Sequence, residues 1–176
     1  MISKIFNRLA KSKEENQFRL LAKGIKIGRG FQVQIHPSST LKIGNNLDVR
    51  NFVCFWVGKK AELKIGQNVF INNYCSINCL KYIEIGENTL FGEGVKIYDH
   101  NHAYLFENEQ LNVSRKDFTF GEVKIGKNCW LGSNVVVLKG VTIGDNSIIG
   151  AGCVIHKNIP ENSVIVHQQE LISKLW

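Results

Sequence analysis

The densest group of side chains able to move protons is Tyr98-Asp99-His100-Asn101-His102, directly after Ile97. In an extended chain, alternation sets Asp99 and Asn101 on one side and His100 and His102 on the other. A neutral imidazole, with an ordinary pKa of about 6.5, can take a proton from a poor nucleophile near neutral pH, and such bases contribute about 10² to 10⁴ in rate. Asp99, Asn101 or a backbone carbonyl could hold the ring in the required tautomer. His100 and His102 could also share a metal. However, His36, His156 and His167 stand at no spacing that supplies a third ligand, so none is expected. Without chemistry, the group would simply be a hydrogen-bonded corner. Just after it, residues 103–122 (AYLFENEQLNVSRKDFTFGE) form a polar and aromatic excursion, and such long departures from a compact pattern tend to be functional.

The pattern being interrupted has a period of six. Apolar residues recur at Ile125, Leu131, Val137, Ile143, Ile149 and Ile155, with glycine following at Gly126, Gly132, Gly144 and Gly150. Four places after each apolar residue stands a small or β-branched one: Cys129, Val135, Val141, Ser147, Cys153 and Ile159. This is neither helical nor simple strand periodicity, so it marks a hexapeptide repeat and a parallel β-helix. Six residues make one short side of about 20 Å, three sides close a triangular coil, and stacked coils bury what one coil cannot. Earlier hexads are looser. The step from Ile43 to Ile65 suggests a four-residue insertion near Trp56–Glu62, and that from Ile65 to Ile85 a two-residue bulge near Leu80–Tyr82.

The whole chain sets further bounds. Its 176 residues suit one domain: an arm over 1–22, a β-helix over 23–166 carrying a loop at 103–122, and a tail over 167–176. Ile2, Ile5, Phe6 and Leu9 have helical spacing with basic residues between. Residues 1–26 carry seven Lys/Arg against Glu14 and Glu15, most of the net charge of +7. This amphipathic arm would cap the β-helix, or make peripheral contact with an anionic membrane. No basic stripe interleaved with stacking aromatics points to nucleic acid. Cys75, Cys129 and Cys153 fall at small inward positions and read as core thiols. With no apolar run of about 20 residues and no signal-peptide core, the chain reads as cytoplasmic.

With these motifs in view, the chain resembles the hexapeptide O-acetyltransferases of the galactoside and maltose acetyltransferase type, including polysaccharide-modifying relatives. The likeness runs from about Ile65 to Pro160. It is most specific over Val123–Pro160, where KIG-x-N-x-W-[IL]-G, G-VTIG-DNS-x-IGAG and K-x-IP all occur. The resemblance implies an all-β fold: a left-handed parallel β-helix of hexapeptide repeats with a short N-terminal helix and one long protruding loop. It also implies a homotrimer with active sites between subunits. That handedness departs from the right-handed crossover rule and rests on the resemblance.

The resemblance further implies acetyl-CoA as co-substrate and a carbohydrate acceptor. Counting five places from Ile97 puts the family's catalytic histidine at His102. Trp130 falls near the pantetheine and acceptor, and Ser133, Ala151, His156 and Lys157 on the coenzyme A groove. Asn72 falls on an acceptor-holding asparagine, while Asp99 and His100 adjoin the base as further acceptor contacts. The family's acceptor aspartate would fall near Leu80, where no acid stands, and Trp56 replaces a small polar contact and could stack on a sugar ring. The usual G-x-P-A-[KR] turn reads His167-Gln168-Gln169-Glu170-Leu171, leaving Lys174 as a remaining basic contact to the coenzyme phosphates. The expected activity is O-acetylation of a sugar hydroxyl, of a bacterial surface polysaccharide or its precursor. The alternatives are N-acetylation of an amino-sugar nucleotide and a non-catalytic scaffold.

Overall fold

A computed structural model describes residues 15–167, and its architecture is the parallel β-helix that the period of six implies, with the left hand that the resemblance implies. Three parallel sheets form the faces of a prism. The first face stacks Lys26–Ile27, Asp48–Val49, Phe70–Ile71, Leu90–Phe91, Trp130–Leu131, Ile148–Ile149 and Val164–Ile165. The second stacks Gln32–Ile35, Cys54–Val57, Ser76–Cys79, Lys96–Tyr98, Val136–Val137 and Val154–Ile155. The third stacks Thr40–Ile43, Glu62–Ile65, Tyr82–Ile85, Val123–Ile125 and Thr142–Ile143.

The inward hexad residues form one continuous buried column, with Ile71, Ile85, Ile97, Leu131, Val137 and Ile149 nearly inaccessible. Each such side chain contributes about 1.5–3 kcal/mol on burial, so the stack, not any single coil, holds the fold. The glycine after the aliphatic residue is needed for close approach. A Cβ at Gly86 would stand 2.5 Å from the carbonyl carbon of Gly126 in the next coil. Along the same edge Asn46, Asn68, Asn88, Asn128, Asn146 and Asn162 all have positive φ, and neighbours in this row are joined by amide hydrogen bonds of 3.0–3.2 Å.

The insertion and the bulge expected in the early coils are absent as such. Coil length falls from 22 residues to 20 where the second–third corner is cut from residues 58–61 to residues 80–81. Beyond the coil that carries the hairpin it falls to 18, as strands on the second and third faces shorten from four residues to two, and then to 16. The extra residues stay in the ladder, with Trp56 paired to Asn78 and Glu62 to Tyr82, so their backbone groups remain satisfied.

The excursion also differs from expectation. It is an antiparallel hairpin, His100–Glu107 against Gln110–Phe120, that starts at His100 and not at Ala103. Asn108 and Glu109 turn it with φ of 49° and 61°, the paired positive φ of a two-residue hairpin turn. At the N-terminal end of the prism a short helix over 15–19 plugs the open core with Phe18, whose ring lies 5.2 Å from Phe31 and 5.8 Å from Phe55. Residues 1–14, most of the expected amphipathic arm, lie outside the described residues. None of the described helices is long and apolar enough to cross a membrane.

Candidate active site

The hairpin leaves the prism at the corner between the second and third faces, and the histidine cluster stands at its root. Asp99 is the pivot. In the preceding coil this corner is cut to two residues, Leu80 and Lys81, which exposes three consecutive N–H groups. Leu80 N donates to the Asp99 carboxylate at 2.9 Å, Lys81 N at 2.6 Å and Tyr82 N at 2.8 Å. The remaining approach is taken by His100 Nδ1, 2.9 Å from Oδ1. Four donors converging on two oxygens is the pattern of an ionised carboxylate. Asp99 is completely buried, so the expectation that it contacts an acceptor is corrected: its oxygens are used within the protein.

The imidazole of His100 is largely enclosed, its side chain 10% exposed. Donating from Nδ1 to Asp99 leaves the lone pair on Nε2. Aromatic rings surround it edge-on, with Trp56 at 6.4 Å, Tyr98 at 6.3 Å and Phe118 of the hairpin at 5.2 Å between centroids. His102 lies one alternation further along the same strand face and is exposed. Its Nδ1 is 2.8 Å from the carbonyl of Ser114, which can only accept, so this ring too carries its proton on Nδ1. Phe118 links the two histidines, lying 4.8 Å from the ring of His102.

Sequence reasoning missed the platform below them. Trp56, Asn78 and Tyr98 are direct partners on three successive strands of the second face, so an indole, an amide and a phenol form an outward row beside His100. The offsets of 22 and 20 residues that lead from Trp56 to Asn78 and Tyr98 were the signal, hidden because the early coils depart from eighteen. The Trp56 indole, 39% exposed, is free to meet a flat partner.

The other sequence-predicted residues stand elsewhere. Trp130, half-exposed, lies on the first face between Leu90 and Ile148. Asn72, Ser133 and Ala151 follow first-face strands at the corner between the first and second faces, and the Asn72 side chain accepts from Asn73 N at 2.8 Å. His156 and Lys157 are exposed at the second–third corner, on the same edge as His100 but in the last coil. Lys174 lies outside the described residues. Within one chain, then, His100, His102, Asp99 and Trp56 come together, whereas Trp130, Asn72, Ser133 and Ala151 lie across the second face. That is roughly 15–20 Å away at about 3.3 Å per residue.

Thiol chemistry has no support at this site. Burial pushes the Cys75 thiol up to about 11, and it raises those of Cys79 and Cys129 as well. A larger groove, about 510 Å³, runs past Lys42, Lys64 and Glu84 on the third face. No histidine lines it among the described residues, and its lysines are engaged: Lys42 and Lys64 with Glu62 and Tyr82, and Lys127 with Glu87.

Comparison with known proteins agrees with this architecture. Residues 122–157 match the bacterial transferase hexapeptide family (six repeats). The chain is 36% identical over 122 residues to the galactoside O-acetyltransferase of Escherichia coli K12, a match covering 69% of this chain and 57% of that protein. It is also 36% identical over 111 residues to WbbJ of the same organism, a lipopolysaccharide-biosynthesis O-acetyltransferase by name, covering 60% of this chain and 57% of that one. The matches thus span less than two thirds of these relatives. Among solved structures, the N-acyltransferase AntD of Bacillus cereus, in complex with dTDP and 3-hydroxybutyryl-CoA, superposes with a TM-score of 0.69 at 19% identity. That match covers 87% of this chain and 81% of AntD. The hexapeptide-repeat acetyltransferase VCA0836 of Vibrio cholerae gives 0.54 at 19% identity, with 88% and 74% covered. In repeat and in fold, the chain is a hexapeptide-repeat β-helix protein, similar over residues 122–157 to the bacterial transferase hexapeptide family.

Proposed function

We propose that the chain is an acetyl-CoA-dependent O-acetyltransferase acting on a sugar hydroxyl of a bacterial surface polysaccharide or its precursor. One observation carries the reading: a buried carboxylate, held by three backbone N–H groups, orients an imidazole whose free nitrogen opens between aromatic rings. A sugar hydroxyl is a poor nucleophile until a positioned base takes its proton. In this arrangement Nε2 accepts that proton as the sugar oxygen attacks the thioester carbonyl. The C–S bond then breaks, and the imidazolium returns the proton to the departing sulfur. The Asp99 carboxylate stabilises the imidazolium between the two transfers.

We propose His100 as the base in place of His102, the residue that the resemblance implies. Both present Nε2, but an anion behind His100 favours the charged ring more than the carbonyl dipole behind His102, and the enclosed position keeps competing water out. His102 then borders the acceptor from the hairpin side. Trp56, Asn78 and Tyr98 form the acceptor platform. Trp130, Ser133, Ala151, His156 and Lys157 serve as coenzyme contacts, as the family resemblance implies. Trp130, Ser133 and Ala151 lie across a face from His100, so a complete site needs the first–second corner of one copy against the second–third corner of another. This arrangement suits a cytoplasmic homotrimer.

The test is incubation of the purified chain with acetyl-CoA and a panel of glycans, following coenzyme A release and product mass. An alkali-labile acetyl ester is expected. An alkali-stable amide would assign the chain to amino-sugar N-acetylation, and no coenzyme A release with neutral, acidic or phosphorylated sugars would make it a scaffold.

A further inference from the structure

Trp56 and Phe118, which flank His100, also form one wall of a recess of about 420 Å³, within the usual range for small-molecule sites. Leu80 supplies the floor. The far side consists of Gln34, on the second-face strand paired with Trp56, and of His36 and Lys59, from the second–third corners of the first two coils. These corners are pre-set. Ser38 donates to His36 Nδ1 from both N, at 3.2 Å, and Oγ, at 2.9 Å, while Ser38 Oγ accepts from Lys60 N at 3.2 Å. Because Nδ1 accepts, the neutral His36 ring carries its proton on Nε2 and is a donor.

Charge in the recess is one-sided. Lys59 lines it, and no carboxylate does. On the neighbouring third face Lys42, Lys64 and Lys124 each lie within 4 Å of Glu62 or Glu122, whereas Lys59 has no acidic partner among the described residues. A cavity with an aromatic wall, a donor imidazole and an uncompensated ammonium suits a ring that is apolar on its face and negative at one end.

We infer that this recess is the acceptor subsite for a sugar bearing an anionic group, a carboxylate or a phosphate ester, with the ring on Trp56 and the anion at Lys59 and His36. The inference rests on the acyl-transfer reading of His100, since it supplies the substrate class for that base. It differs from a simple stacking role for Trp56 because it requires discrimination by charge. Specificity of this kind arises when a site's polar groups are left unmatched by the neutral analogue.

The experiment is calorimetric titration of the full-length chain with a glucuronate-containing disaccharide, its methyl ester and a hexose phosphate, alongside coenzyme A release with each. The acid forms are expected to bind about five- to tenfold tighter than the ester at low salt, the margin shrinking as salt screens a partly exposed cation. Lys59→Ala should bring the acid down to the affinity of the ester, and Lys59→Arg should retain the preference. Whether the uronate or the phosphate is favoured identifies the anion. Equal binding of acid and ester, or an unaltered preference in Lys59→Ala, overturns the inference while leaving acyl transfer standing if coenzyme A is still released. Charge-selective binding without coenzyme A release from any acceptor supports the subsite and overturns the acyl-transfer reading.

Discussion

Asp99 and His100 are adjacent in sequence, yet their side chains meet at 2.9 Å because Asp99 turns into the prism corner while His100 begins the hairpin. The carboxylate thereby joins two jobs: closing the corner at Leu80–Tyr82 and setting the imidazole. If His100 is the base, His100→Ala should lower turnover by at least about 10², the typical worth of a positioned base. His102→Ala, on the exposed strand, should change turnover by less than about tenfold. Coenzyme A release at saturating substrate measures both, and the reverse ranking would return the base to His102.

Asp99 itself separates orientation from folding. Asp99→Ala strands three part-buried N–H groups, each costing up to about 1–3 kcal/mol, and should unfold the chain at a lower denaturant concentration. Asp99→Asn retains one acceptor oxygen and most of the volume but loses the anion behind His100. Its kcat should fall about 10- to 100-fold with little change in KM, because only the charged ring formed during reaction loses its partner. An Asp99→Asn variant with wild-type kcat would reduce Asp99 to a corner plug.

How much of this was legible beforehand depended on where the repeat stayed regular. From Ile125 to Ile155 the spacing of six sets one inward residue per side, and every one of those positions is buried. The early coils carried the same inward pattern with longer strands, so extra residues resembled insertions when they were paired ladder. That hid the Trp56–Asn78–Tyr98 row, which exists only through inter-coil register. The excursion was legible as an interruption, but its cross-strand pairing was not, because exposed alternation leaves register weakly specified. Hexad counting points to the His100–His102 cluster and ranks His102 first, the opposite of the order that burial and hydrogen bonding favour. The favoured order comes from backbone N–H groups at residues 80–82, which no side-chain pattern reports. For the same reason Asp99 looked like a substrate contact when it is interior.

The core thiols give a prediction with a defined sign. An unfolded cysteine loses its proton near about 8.5, whereas burial holds the folded Cys75 up to about 11. Between these values the folded state binds more protons than the unfolded one, so stability should be full below about pH 8.5 and decline as pH rises toward 11. Cys79 and Cys129 shift in the same direction and add to the slope. Denaturation midpoints measured across this window should therefore fall more steeply for the native chain than for Cys75→Ala. Parallel curves would mean that the thiol is already ionised in the folded protein. Consistent with burial, Cys75, Cys79 and Cys129 should resist a thiol-disulfide reagent at pH 8 until denaturant is added.

Asn128 tests what the asparagine edge contributes. Its amide accepts from Asn88 and donates to Asn146, both at 3.1 Å, and its φ is 54°. Asn128→Gly removes the two side-chain bonds but tolerates that φ, and should cost about 1–2 kcal/mol for hydrogen bonds at an exposed edge. Asn128→Ala removes the same bonds and also places a Cβ in the left-handed region. Left-handed strain of about 1–2 kcal/mol, partly offset by the stiffer unfolded chain, should make it about 0.5–1 kcal/mol worse than glycine. Denaturant midpoints at unchanged m would show the order native, glycine, alanine. Equal losses for the two variants would assign the stabilisation to the side-chain bonds alone. A glycine variant as stable as the native chain would instead mean that positive φ is all this position requires, and that the amides stacked along the edge contribute nothing measurable.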